Sequence, residues 1–166
     1  LGNIRDLETT DLRQQFETNL FGLHSITRSL LPYFRKHHNG LVINVSSIVG
    51  LFTIPQYGIY ASSKFALEAY SSSLRLEEEK NGLKVVVINP GNFHTKFITN
   101  SLGNIPPGED DSNGENPLLF AKLVEKILRS KNPKENYLIG RETLSVWLLL
   151  HLPMFIKREF LKRYFI

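Results

Sequence analysis

Two short apolar runs, Leu41-Val42-Ile43-Asn44-Val45 and Lys84-Val85-Val86-Val87-Ile88, most constrain how this chain folds. Both are rich in β-branched residues and neither alternates apolar with polar, the mark of strands covered on both faces. Stretches of helical period flank them. Ahead of the first run, Leu12, Phe16, Leu20, Leu23, Ile26, Leu30 and Phe34 recur every three or four positions. A second helix is expected from about Gly58 to Lys80, ended by Asn81-Gly82, and a third from Leu118 to Ser130, before a strand candidate at Asn136 to Ile139. Buried strands separated by helices form a parallel sheet with crossover helices. The expected class is α/β, a doubly wound parallel sheet.

Local signals divide the chain further. Thr10 is the expected N-cap of the first helix and Asn39-Gly40 its stop. Pro32 lies inside that helix and should kink it or end it early. Residues 100–117 carry Pro106, Pro107 and Pro117, with the acids Glu109, Asp110, Asp111 and Glu115, and read as an irregular loop. From Glu142 the chain is helical again, with a break near Pro153.

Composition narrows the function. The 166 residues are 42% hydrophobic and 22% charged, which suits a packed domain and not a disordered one. There is no cysteine, so disulfides, thiolate nucleophiles and Cys-ligated metals are excluded. That composition suits a reducing compartment, and the expected location is cytoplasmic. Leu144 to Ile156 is the most apolar stretch, but it is broken by Ser145, His151 and Pro153 and is shorter than the ~18 residues a membrane span needs. Lys157, Arg158, Lys162 and Arg163 face only Glu159 in the last sixteen residues, so most of the net +4 sits in the tail. A basic face on the body, which nucleic-acid binding requires, is missing. The helical basic tail, 142–166, is instead a candidate for peripheral contact with a membrane, or for a helix capping the irregular loop.

In Tyr60-Ala61-Ser62-Ser63-Lys64 a phenol and an ammonium stand four apart, on one face of the expected helix. A neighbouring cation lowers a tyrosine's pKa by about 1–3. Bringing it from about 10 towards 7 takes about 4 kcal/mol, so a second positive charge would help. An oxidised nicotinamide ring would supply one. By itself the spacing is also that of any solvated helix face. Asn44-Val45-Ser46-Ser47 closes the preceding strand, Pro90-Gly91-Asn92-Phe93-His94-Thr95 follows the next, and Asn19-Leu20-Phe21-Gly22 lies in the first helix.

Together these segments resemble the short-chain dehydrogenase/reductase (SDR) family, over about residues 8 to 140. The resemblance implies a Rossmann-like fold and an NAD(P)-dependent oxidoreductase that interconverts an alcohol and a ketone or aldehyde. It implies that Tyr60 exchanges the proton with the substrate oxygen, that Ser47 holds that oxygen, and that Lys64 tunes Tyr60 and binds the nicotinamide ribose. Asn19 would support a water in a proton relay to Lys64. Pro90, Gly91, Phe93 and Thr95 match the segment along the nicotinamide, and 92–117 would be the substrate-binding loop. Phe93, Phe97, Ile98 and Leu102 lean towards a lipophilic substrate. Homo-oligomerisation through the first two helices is implied as well, with Ser71, Ser72 and Ser73 easing close packing. The physics agrees: hydride transfer to a carbonyl leaves an alkoxide, which hydroxyl donors such as Ser47 and Tyr60 stabilise.

One family feature is absent. No two of the eleven glycines are separated by a single residue, so the sequence contains no Gly-x-Gly phosphate cradle. With Leu1 first and Met154 the sole methionine, the chain is expected to be the downstream part of a larger Rossmann domain, unable to bind cofactor well alone. The alternative is a non-catalytic SDR-like remnant or binding module. No metal site is expected: His37-His38 suits a helix C-terminus, and His94 an exposed loop. A serine hydrolase is excluded, since Gly-x-Ser-x-Gly surrounds neither Ser46 nor Ser47.

Overall fold

In the computed structural model, residues 1–97 and 114–165 are described. Ile98, Leu102 and most of the expected 92–117 loop lie outside them. Helix α1 spans Thr9–Phe16 and α2 Gly22–His37, joined without a break by a π turn at Glu17–Phe21. Strand β1 is Gly40–Val45, α3 Gly58–Glu78, β2 Leu83–Pro90, α4 Pro117–Arg129 and β3 Asn136–Ile139. Two helices close the chain, α5 at Thr143–His151 and α6 at Met154–Phe165. The three strands form one parallel sheet in the order β1-β2-β3. Val45 stands opposite Ile88 and Pro90 opposite Ile139, which aligns the carboxyl ends of all three strands.

Successive residues of β2 face opposite sides, and each side has its own core. Leu83 and Val85 pack with Leu74 of α3 and with Leu31 and Phe34 of α2. Val86 and Ile88 pack with Ile127 of α4, joined by Phe120 and Leu123. Helices therefore cover both faces, and the β-branched run of β2 is buried throughout because neither face meets water. The fold is Rossmann-like, as expected.

Several element ends differ from expectation. The cap of α1 is Glu8, not Thr10: its backbone N–H donates to the Asp11 carboxylate at 2.8 Å. Helix α2 continues past Pro32 to His37, ending where His38 takes up a left-handed conformation, φ 46°, ahead of Asn39-Gly40. Gly82, φ 75°, is equally left-handed, and a Cβ there would lie 2.2 Å from the His38 carbonyl oxygen. These two turns pack so closely that only glycine fits. Arg35 of α2 forms a two-pronged ion pair with the buried Glu78 carboxylate at the end of α3, and the Asn81 amide donates to the same carboxylate at 2.9 Å. Ser71 is not on an outer helix face. It is buried, donates to the Leu67 carbonyl, and accepts from the Asn44 amide of β1 at 2.8 Å. Among the described residues no helix is long and apolar enough to cross a membrane.

Candidate active site

The carboxyl ends of parallel strands are where ligands bind in open α/β sheets, because the chain diverges there and leaves a crevice. Here the end of β1 carries Asn44, Ser46 and Ser47, and the end of β2 carries Asn89, Pro90 and Gly91. Ser47 caps a 3-10 turn at Ile48–Gly50, accepting from the Val49 N–H at 3.3 Å. At Gly50 a Cβ would stand 2.7 Å from Ser46 Oγ and 3.1 Å from Lys64 Cβ. Its absence lets the turn press onto α3, which brings Ser47 to Tyr60.

Tyr60 and Lys64 occupy one face of α3, as their spacing requires. The Ser47 hydroxyl acts on the Tyr60 phenol, and Phe97 lies against the Tyr60 ring, centroids 5.2 Å apart. Burial pushes the phenol's pKa above its ordinary value, and the Ser47 hydrogen bond opposes without overcoming it. That reverses the expected direction. The Lys64 ammonium is turned towards the sheet: Nζ donates to the Val45 carbonyl at 2.9 Å and stands 5.6 Å from the Tyr60 ring centroid. Lys64 itself is 9% exposed, and burial lowers its pKa to about 8 against the opposing charge of Glu68.

Asn19 falls in the π turn, a widened helical turn that often marks functional positions. Its amide donates to Ser63 Oγ at 2.9 Å, and Ser63 donates to the Tyr60 carbonyl at 2.7 Å. Asn19 thus reaches α3 one residue before Lys64. Gly91 is held to β3, its N–H donating to the Ile139 carbonyl at 2.8 Å. Phe93 turns its side chain into the core, edge-on to Phe120, so it offers the crevice only its backbone. Thr95 is exposed, and its hydroxyl accepts from the Phe97 N–H at 3.2 Å. In front of Tyr60 opens a cleft of about 440 Å³, with Leu7, Ile59 and Phe97 giving it apolar walls and Gln14, Gln15 and Gln56 polar ones.

Three contributors were not singled out from the sequence. Asn89 donates from one amide to the Ser47 carbonyl at 3.2 Å and to the Glu68 carboxylate, tying β2 to the Ser47 turn. The signal was an asparagine in an otherwise apolar strand, with an acid four residues after Lys64. Ser63 links Asn19 to Tyr60. Glu142 sets its carboxylate against Gly91 and Gly140, where a Cβ would come within 2.2 Å and 2.9 Å of Oε2.

Comparisons with known proteins agree with this geometry. Residues 1–104 match the short chain dehydrogenase family model. The chain is 44% identical over 139 residues to the uncharacterized oxidoreductase YusZ of Bacillus subtilis, covering 81% of this chain and 47% of that protein. It is 37% identical over 131 residues to a 3-ketodihydrosphingosine reductase of Bacteroides thetaiotaomicron, covering 78% and 49%. A short chain dehydrogenase from Burkholderia cenocepacia, solved in complex with NADP, superposes with a TM-score of 0.77 at 20% identity, over 93% of this chain and 60% of that one. The chain therefore belongs to the short-chain dehydrogenase family. It spans about half the length of the curated relatives it matches.

Proposed function

We propose that this protein is an NAD(P)-dependent oxidoreductase that interconverts an alcohol and a ketone or aldehyde. The observation that carries the reading is the Tyr60 phenol, beside the Ser47 turn and one helical turn from the Lys64 ammonium, at the carboxyl ends of β1 and β2. The residues present fit the nicotinamide and ribose half of such a cofactor. Lys64 Nζ, now satisfied by a backbone carbonyl, would turn to the ribose hydroxyls, and the Pro90-Gly91 end, with the backbone of Phe93 and the side chain of Thr95, would lie along the ring and its carboxamide. The sequence offers no Gly-x-Gly for the pyrophosphate.

The cofactor supplies or accepts the hydride when bound. Everything else falls to the chain. In the reducing direction Tyr60, kept neutral by burial, gives its phenolic proton to the substrate oxygen while Ser47 donates a second hydrogen bond to it. Lys64 then stabilises the phenolate, and Asn19, anchored through Ser63, supports the water that returns the proton. The cleft sets Leu7, Ile59 and Phe97 beside the polar Asp11, Gln14, Gln15, Thr18 and Gln56; a lipophilic substrate is supported by Phe97 lying against Tyr60 and by the name of the Bacteroides relative. Exposed Ile26, Leu30 and Tyr33 on α2, with Phe65 on α3, support homo-oligomerisation through these helices.

The test is to titrate the whole protein with NADH and NADPH and to follow their consumption with a panel of long-chain ketones. Tyr60→Phe should cut turnover by about a thousandfold or more and leave cofactor affinity within about twofold. Binding without turnover in the wild type would favour the non-catalytic alternative. Turnover unchanged in Tyr60→Phe would overturn the mechanism.

A further inference from the structure

Helix α5 carries no Asp, Glu, Lys or Arg, and its six apolar residues, Leu144 and Val146 to Leu150, are spread around the axis. Such a helix is ordinarily buried on every side. Here Val146 and Leu149 enter the core, while Leu144, Trp147 and Leu148, spaced i, i+3 and i+4, line the opposite face at 69%, 49% and 52% exposure. Beyond the break at Pro153, the first turn of α6 likewise exposes Met154 and Phe155, at 75% and 71%. Basic residues follow on the same helix, one to two turns further along. Lys162 pairs with Glu159 at 3.0 Å, whereas Arg158 and Arg163 have no ion-pair partner among the described residues.

We propose that α5 and α6 dock the protein on an anionic bilayer surface. Trp147, Leu148, Met154 and Phe155 enter the interfacial layer, and Arg158, Lys162 and Arg163 meet lipid phosphates. Apolar and aromatic side chains beside cationic ones match the layered chemistry of such a surface, where indole and phenyl rings settle at headgroup depth. Charge separates this occupant from a second copy of the chain. A two-fold interface would set the same array, with its net +3 over residues 151–166, against itself. An anionic bilayer supplies the opposite sign. No described helix is both long and apolar enough to cross, so the contact proposed is peripheral. The inference is independent of Tyr60 and of any cofactor.

Trp147 is the one tryptophan of the 166 residues, and it lies on this face. The experiment mixes the whole protein with vesicles of phosphatidylcholine containing about 30 mol% phosphatidylserine, or none, and follows flotation and Trp147 fluorescence. The expected result is flotation and a blue-shifted emission with the anionic vesicles only, weakened by raised salt. The variant Arg158→Gln/Lys162→Gln/Arg163→Gln should weaken partitioning by about a hundredfold, roughly fivefold per charge. Phe155→Ser should weaken it by about tenfold while the circular dichroism is unchanged. Failure to float with anionic vesicles, or flotation indifferent to these substitutions, overturns the proposal. So does self-association through this face, seen by sedimentation as a dimer that either variant disperses.

Discussion

Lys64 gives a prediction whose size follows from the structure. Its ammonium is buried beside β1, and its pKa falls from 10.5 to about 8. At ~1.4 kcal/mol per pH unit, the charged form is disfavoured by roughly 3 kcal/mol in the fold. In the window between those values the unfolded chain holds the extra proton, so stability rises with pH from about 8 to 10.5, and the penalty is fully present below about 8. Lys64→Met keeps the aliphatic volume and removes the charge. It also removes the Nζ bond to the Val45 carbonyl, a loss of about 1–2 kcal/mol. The variant should therefore be more stable at pH 7 by about 1–2 kcal/mol, and the advantage should vanish or reverse by about pH 10. Urea unfolding at both pH values, with slopes compared, measures this. A variant destabilised at pH 7, with a deficit that does not change with pH, would refute a buried charge at Lys64.

Three further outcomes are expected. The kcat/KM for carbonyl reduction should fall with an apparent pKa near 8, as Lys64 in the free protein loses its proton; a profile flat from pH 7 to 9 contradicts that. Gly82→Ala should cost about 2 kcal/mol or more in urea unfolding, because its left-handed turn meets the His38 carbonyl, whereas an unchanged midpoint would mean the two turns are not in contact. Ile127→Ala, at a fully buried position, should cost about 2–5 kcal/mol, and a loss under 1 kcal/mol would place α4 off the sheet.

The strands were legible because β2 is buried on both faces and so reads as an unbroken apolar run, and because β3 keeps an apolar centre even though it is short. Tyr60 and Lys64 were legible because helical period alone puts positions four apart on one face. What the sequence did not reveal depends on contacts between distant segments. Glu8 replaces Thr10 as the cap because Asp11, three residues on, returns a hydrogen bond to its N–H. Asn44 and Ser71 are polar residues at buried positions, and their reason is each other across the sheet-helix interface. The direction of the Tyr60 pKa differs from the expected one for a similar cause. Spacing gives the proximity of an ammonium but not where it points, and Lys64 points at Val45. With the cation so engaged, desolvation decides.

In the proposed mechanism Tyr60 moves a proton while a hydride passes between cofactor and carbon. The most direct measurement uses NADH or NADPH carrying deuterium at the reactive carbon of the nicotinamide, with the whole protein and a lipophilic ketone. One deuterium is expected on the carbinol carbon of the product alcohol, and its loss in Tyr60→Phe. An alcohol formed without deuterium, or label transfer undiminished in Tyr60→Phe, would contradict it.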